Sequence, residues 1–163
     1  MSARQQKKII EFFIFHRNST CLLHLEPQED KNLITNKANT AASNKENEHR
    51  YKLLFGLLFS MRSFVKQVSP ENTKGNSNQD ALKTFATANY KVHYEEFLNG
   101  LRFIIITTPI KDYLGDKMKD IFEKFYTTLI SKNVFSNPEE QIKNEVFIEL
   151  VNNYLIALNK TVS

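Results

Sequence analysis

The segment Tyr51–Val68 constrains the fold more than any other part of the 163-residue chain. At about 100° per residue it sets Leu53, Leu54, Leu57, Leu58, Met61, Phe64, Val65 and Val68 on one broad helical face. Tyr51 and Phe55 extend that face, and Phe59 lies further out among Lys52, Arg62, Ser63 and Lys66. The apolar arc is roughly 200° wide, whereas a helix lying on one sheet needs a stripe somewhat over about 100°. A helix of this kind is covered on more than one side, by another part of its own chain or by a partner. Ser69-Pro70 ends it, since proline cannot continue the backbone hydrogen bonding.

The segments around this helix read as strands. Ile9–Phe15 is apolar on both parities except at Glu11, the pattern of a strand buried on both faces. The turn residues Arg17-Asn18-Ser19-Thr20 follow, and Cys21–Leu25 returns as the second strand of a hairpin. After the helix, Leu82–Thr87 and Tyr90–Phe97 alternate, with Tyr90, Val92, Tyr94 and Glu96 on one face. Asn99-Gly100 predicts a hairpin turn in which both residues tolerate positive φ. Leu101–Thr108, with Ile104-Ile105-Ile106 at its centre, predicts a second strand buried on both faces, and Pro109 ends it.

Two further helices close the chain. The first, about 111–132, carries a stripe of Leu114, Met118, Ile121, Phe122, Phe125 and Leu129. The second is expected to start at Asn137-Pro138-Glu139-Glu140, with Asn137 as cap, Pro138 in the first helical position and carboxylates in the first turn. Its stripe is Phe147, Leu150, Val151, Tyr154, Leu155 and Leu158. The order β-β-α-β-β-β-α-α predicts an α+β fold: a five-stranded antiparallel sheet with one helix on one face and two on the other. Residues 1–163 read as a single domain. A polar segment at about 27–48, with only Leu33 and Ile34 large and apolar, reads as a mobile surface insertion. A second polar loop falls at about 69–80.

The 22 Lys and Arg against 18 Asp and Glu give a formal charge of +4, spread along the chain with its densest cluster at Arg4, Lys7 and Lys8. A nucleic-acid binder concentrates such charge on one face, so no nucleic-acid partner is expected. The one cysteine, Cys21, excludes an internal disulfide and points to a reducing compartment. The apolar run near the start carries Glu11 and lacks a small-residue cleavage site. No stretch approaches the roughly 20 apolar residues of a membrane span. A soluble, cytosolic protein is expected, reaching a membrane only through something else.

The side chains that usually carry chemistry do not assemble along the sequence. His16, His24, His49, His93 and Cys21 lack metal-site spacing such as His-x3-His or Cys-x2-Cys. His93 and Tyr94 are adjacent strand residues and point to opposite faces, so His93 reads as solvent-facing or satisfied in the core. Cys21 with His24 forms a nominal nucleophile and base, but a buried strand cysteine accounts for it. Glu95-Glu96 and Glu139-Glu140 each have a structural reading. Gly56, Gly75, Gly100 and Gly115 are too far apart for a phosphate cradle. No catalytic, cofactor-binding or metal-binding residue is named, and no cofactor is expected.

Three runs carry a resemblance. Tyr51-Lys52-Leu53-Leu54-Phe55-Gly56-Leu57-Leu58-Phe59-Ser60-Met61-Arg62-Ser63 resembles the Y-K-L-x-aromatic-G-x-x-F-S-x-R-S helix of the TRAPP complex subunit 1 family, the small Bet-five-type core subunits. Tyr90-Lys91-Val92-His93-Tyr94 is similar to that family's Y-K/R-hydrophobic-H strand, and Phe13-Ile14-Phe15-His16-Arg17-Asn18 to its opening, with His16 where the family has an acidic residue. The resemblance implies a longin-like (profilin-like) fold and a non-catalytic place in the TRAPP vesicle-tethering core. It implies a second longin-type subunit as partner and a share in the surface on which the assembled core exchanges nucleotide on a Rab GTPase. It also implies work on the cytoplasmic face of Golgi and ER-Golgi membranes, with membrane association only through the complex. Tyr51, Phe55, Phe59 and Arg62 are then the expected subunit interface, because aromatic residues and arginine are enriched at such surfaces. The other readings are another longin-type module, an adaptor small chain or a SNARE regulator, or a profilin-like small-molecule sensor.

Overall fold

A run as apolar as Ile9–Phe15 is stable only with both faces and both edges covered. The computed structural model, which describes residues 6–29, 45–70 and 81–163, places it inside the sheet, between two other strands. Strand β1 (Ile9–Phe15) pairs antiparallel with β2 (Cys21–Leu25) on one edge and with β5 (Arg102–Thr107) on the other. Strand β4 (Lys91–Glu96) pairs with β5, and the three-residue β3 (Thr84–Ala86) pairs with β4, giving the order β2-β1-β5-β4-β3. On one face Phe13, Phe15, Val92, Tyr94 and Ile104 meet helix α1 (Lys45–Val68). On the other, Phe12, Ile14, Leu22, Phe103 and Ile105 meet α2 (Gly115–Ile121), its continuation to Ser131, and α3 (Glu145–Thr161). The predicted architecture holds, and the three late strands are each shorter than their apolar alternation suggested. No described helix is long and apolar enough to cross a membrane.

Several boundaries depart from the sequence reading, each for a physical reason. Helix α1 begins at Lys45 and not Tyr51. Glu46 and Glu48 in its first turn complement the helix dipole, and Arg50 ties that turn to Glu11 of β1 at 2.6 Å. His49 therefore sits exposed on a helix and not in a loop. The segment read as an insertion at 27–48 is structured at both ends. Pro27 is buried, and Gln28 exchanges two backbone hydrogen bonds with the Asn152 side chain, at 2.9 and 2.8 Å. Residues 30–44 of that segment, and 71–80 of the second polar loop, lie outside the described residues.

The second helix changes its winding part-way. From Phe122 to Ser131 it is a π-helix, closed by hydrogen bonds one residue longer than those of an α-helix. Lys132 N–H donates to the Thr127 carbonyl at 3.2 Å. The extra residue per turn moves the buried face from the expected Phe122, Phe125 and Leu129 to Tyr126 and Ile130, with the first three only partly covered. An aromatic ladder fills the gap: Phe97 stacks on Phe122 at 4.1 Å, Phe122 on Tyr126 at 5.5 Å, and Phe103 meets both edge-on.

The last helix starts at Glu145, eight residues beyond the expected Asn137 cap. Asn137 does accept from Glu139 N–H at 3.1 Å and bond Glu140 at 3.0 Å, but the turn goes no further. Ile142, 7% exposed, donates its N–H to the Leu22 carbonyl on the outer edge of β2 at 2.8 Å. An extended segment there covers the sheet edge, and it cannot also be helical. Asn144 is the cap that is used, its Oδ1 accepting from Phe147 N–H at 3.1 Å.

Candidate functional site

Among the described residues, helix α1 uses only half of its apolar arc. Tyr51 and Leu58 are buried, and Leu54, Phe55, Met61 and Val65 pack partly against the sheet. These six positions span about 120° of the helix, the stripe that one sheet requires. Leu53, Leu57, Phe64 and Val68 remain 60, 45, 58 and 62% exposed. Their spacing (i, i+4, i+11, i+15) stacks them in a second stripe, turned about 100° from the buried one. Among the described residues, the surplus apolar arc lies here.

The four residues expected at a subunit interface share an arc of about 80° on α1 but differ in exposure. Tyr51 turns inward: its ring meets Phe13 and Phe15 edge-on, and its hydroxyl bonds His24 Nδ1 at 2.8 Å. Burial pushes that hydroxyl above its usual range, so it stays protonated. Phe55 is half-buried, 5.8 Å from Phe15, with the Arg102 guanidinium 4.7 Å from its own ring. Arg62 pairs with Glu96 at 2.8 Å, and Glu96 also accepts from Tyr94 Oη at 3.2 Å. Phe59 alone of the four is more than half exposed, on the opposite flank from the Leu53–Val68 stripe. Sequence reasoning put Leu53, Leu57, Phe64 and Val68 on the same broad face as Leu54, Leu58, Met61 and Val65, and so did not single them out as exposed. Their shared helical face was the available signal.

The remaining polar groups hold the fold. Cys21 donates to the Leu23 carbonyl at 3.4 Å, and burial pushes its thiol up to about 12, far from a reactive thiolate. A cleft of about 640 Å³ beside β4 is lined by Arg62, Lys66, Lys83, Tyr94, Glu95 and Glu96 among others. Both of its carboxylates are already paired: Glu96 with Arg62, and Glu95 with Lys83 and Lys119 at 3.7 and 3.8 Å. A small-molecule site instead offers converging polar groups to its ligand. Across β1 and β2, Glu11, His24 and Glu26 bring one ligand atom each within 4.8 Å of one another, a grouping that no sequence spacing announces.

Residues 9–158 match the sybindin-like family, a span that takes in all five strands and nearly all of the helices. The chain belongs to the sybindin-like family. It is 31% identical over 146 residues to "Trafficking protein particle complex subunit 1" of Homo sapiens, covering 90% of each chain. Against the protein of that name from Dictyostelium discoideum it is 29% identical over 147 residues, covering 90% of this chain and 94% of the relative. Against "Trafficking protein particle complex subunit BET5" of Saccharomyces cerevisiae it is 29% identical over 137 residues, covering 84 and 80%.

Within this sybindin-like chain, the Tyr-Lys-Val-His run has a structural task. Lys91 Nζ donates to the carbonyls of Ile110, Lys111 and Asp112 at 3.1–3.4 Å. His93, fully buried, accepts at Nδ1 from Leu114 N–H at 3.3 Å, and its Nε2 lies 3.0 Å from Thr107 Oγ1, which donates to the Thr108 carbonyl. Only the neutral ring with its proton on Nε2 satisfies all three bonds. Together the two side chains clamp the connection from β5 into α2. His16 likewise serves its turn: its Nδ1 takes the Asn18 N–H at 3.4 Å, the contact an acidic side chain makes in an Asx-turn.

Proposed function

We propose that this chain is a non-catalytic subunit of a trafficking protein particle complex and acts by docking α1 against another subunit. The observation that carries the proposal is the second apolar stripe of α1: Leu53, Leu57, Phe64 and Val68, exposed along four turns of one helix. A stripe of that length suits the apolar face of another folded subunit better than a small molecule. The names of the relatives, each a subunit of such a complex, supply the occupant. Phe59 lies on the other flank of the helix and extends the surface available to a second contact, with Arg62 at its rim paired to Glu96.

In this reading the partner is a second longin-type subunit, and the pair contributes to the surface on which the assembled core accelerates nucleotide exchange on a Rab GTPase. The place of work is the cytoplasmic face of Golgi and ER-Golgi membranes, reached through the complex. The test is reconstitution of the core with and without this chain, followed by release of a fluorescent guanine nucleotide from candidate Rab proteins. Release should fall at least tenfold when the chain is omitted and return when it is added back. Undiminished release by a core lacking the chain would remove the exchange role.

A further inference from the structure

Among the described residues, His24 holds a buried ring nitrogen without a hydrogen-bond partner. Its side chain is 8% exposed, and Nδ1 is engaged by the Tyr51 hydroxyl at 2.8 Å. Its Nε2 makes no hydrogen bond among the described residues and stands 3.5 Å from Glu11 Oε2. That spacing is long for a charge-assisted N–H···O⁻ bond, which closes to about 2.7–2.9 Å. It is near the separation of two ligands on one tetrahedral ion: at about 2.0–2.1 Å from the metal, nitrogen and oxygen stand about 3.4 Å apart. Glu26, two residues after His24, brings a third ligand atom, and all three lie within 4.8 Å of one another.

From these contacts we infer that Glu11, His24 and Glu26 form a site for a divalent transition metal, of which zinc fits the nitrogen and oxygen donors best. The ion takes the lone pair of His24 Nε2 and one oxygen from each carboxylate, leaving a fourth position for water. The tautomer with its proton on Nδ1 donates to Tyr51 Oη, so Tyr51 fixes the ring from behind as an outer partner. Arg50 holds both oxygens of Glu11 at 2.6 and 2.7 Å. A carboxylate has about four lone-pair sites, so Glu11 can keep that pair and bind the ion through its other face. The ion would join β1, β2 and the start of α1 at one point.

Titration of the metal-free 163-residue chain tests the site, using Zn²⁺ by calorimetry and Co²⁺ by its visible absorption. One equivalent should bind, with the absorption of a four-coordinate ion. His24→Gln and Glu26→Gln should each weaken binding at least tenfold, and His49→Gln, which alters an exposed histidine elsewhere on α1, should leave it unchanged. Glu26 is half-buried at the end of β2, so its variant decides the matter if His24→Gln fails to fold by circular dichroism. Absence of saturable one-to-one binding in the wild type overturns the assignment. Wild-type affinity in either folded ligand variant overturns it as well.

Discussion

His93 shows how much one side chain can decide. Its ring accepts the Leu114 N–H, and protonating Nδ1 would set two N–H groups against each other in a site without water access. Burial, and next the nearby Lys91 charge, depress its pKa to about 4 from 6.5. A folded pKa below the unfolded one means that the unfolded chain binds the proton more readily between those values. The stability this group contributes is therefore complete above pH 6.5 and is lost as pH falls toward 4. The loss is about 3 kcal/mol for a shift of this size. Urea titrations at successive pH values should show His93→Gln lacking this step, with the variant less stable than wild type at pH 7 by about 1–3 kcal/mol. Equal pH dependence in both proteins would place the acid sensitivity elsewhere.

At the scale of elements, the two candidate caps of the last helix give a direct comparison. Asn144→Ala should cost about 1 kcal/mol, the usual loss for an N-cap. Asn137→Ala should stay within about 0.5 kcal/mol, as for an exposed turn. Chemical denaturation reads both, and the reverse ranking would restore the helix start that local chemistry suggested. Cap chemistry at Asn137-Pro138-Glu139-Glu140 was sound locally, and it was overruled by the Ile142 bond to the open edge of β2. That long-range contact leaves no local trace in the sequence. The π winding of Phe122–Ser131 was hidden for a related reason, since Phe122, Phe125 and Leu129 fit an α-helical period until the Phe97 and Phe103 rings claim the space. The sheet was legible because Ile9–Phe15 and Leu101–Thr108 have no stable place except its centre. At α1 the surplus apolar arc was legible, but not which side the sheet would take. The sheet chose Tyr51 and Leu58 and left Leu57 and Phe64 outside.

For the whole molecule, the picture is a sheet covered on both faces, whose single-helix face presents one further apolar stripe outward. Each half-exposed side chain of that stripe contributes about 1 kcal/mol when a partner covers it. Four together supply enough to matter in a complex, and they are spread over a helix that is itself anchored by Tyr51, Leu58 and the Arg50–Glu11 pair. Charge on the stripe should therefore abolish docking with little effect on the fold, because exposed replacements usually change stability by no more than about 0.5 kcal/mol. The Leu57→Asp, Phe64→Asp double variant, co-expressed with the other subunits of the complex and resolved by size exclusion, tests this most directly. The account predicts a folded chain, with wild-type circular dichroism and melting, that elutes alone while the wild type elutes with its partner. A folded double variant that still co-elutes in wild-type proportion would contradict it.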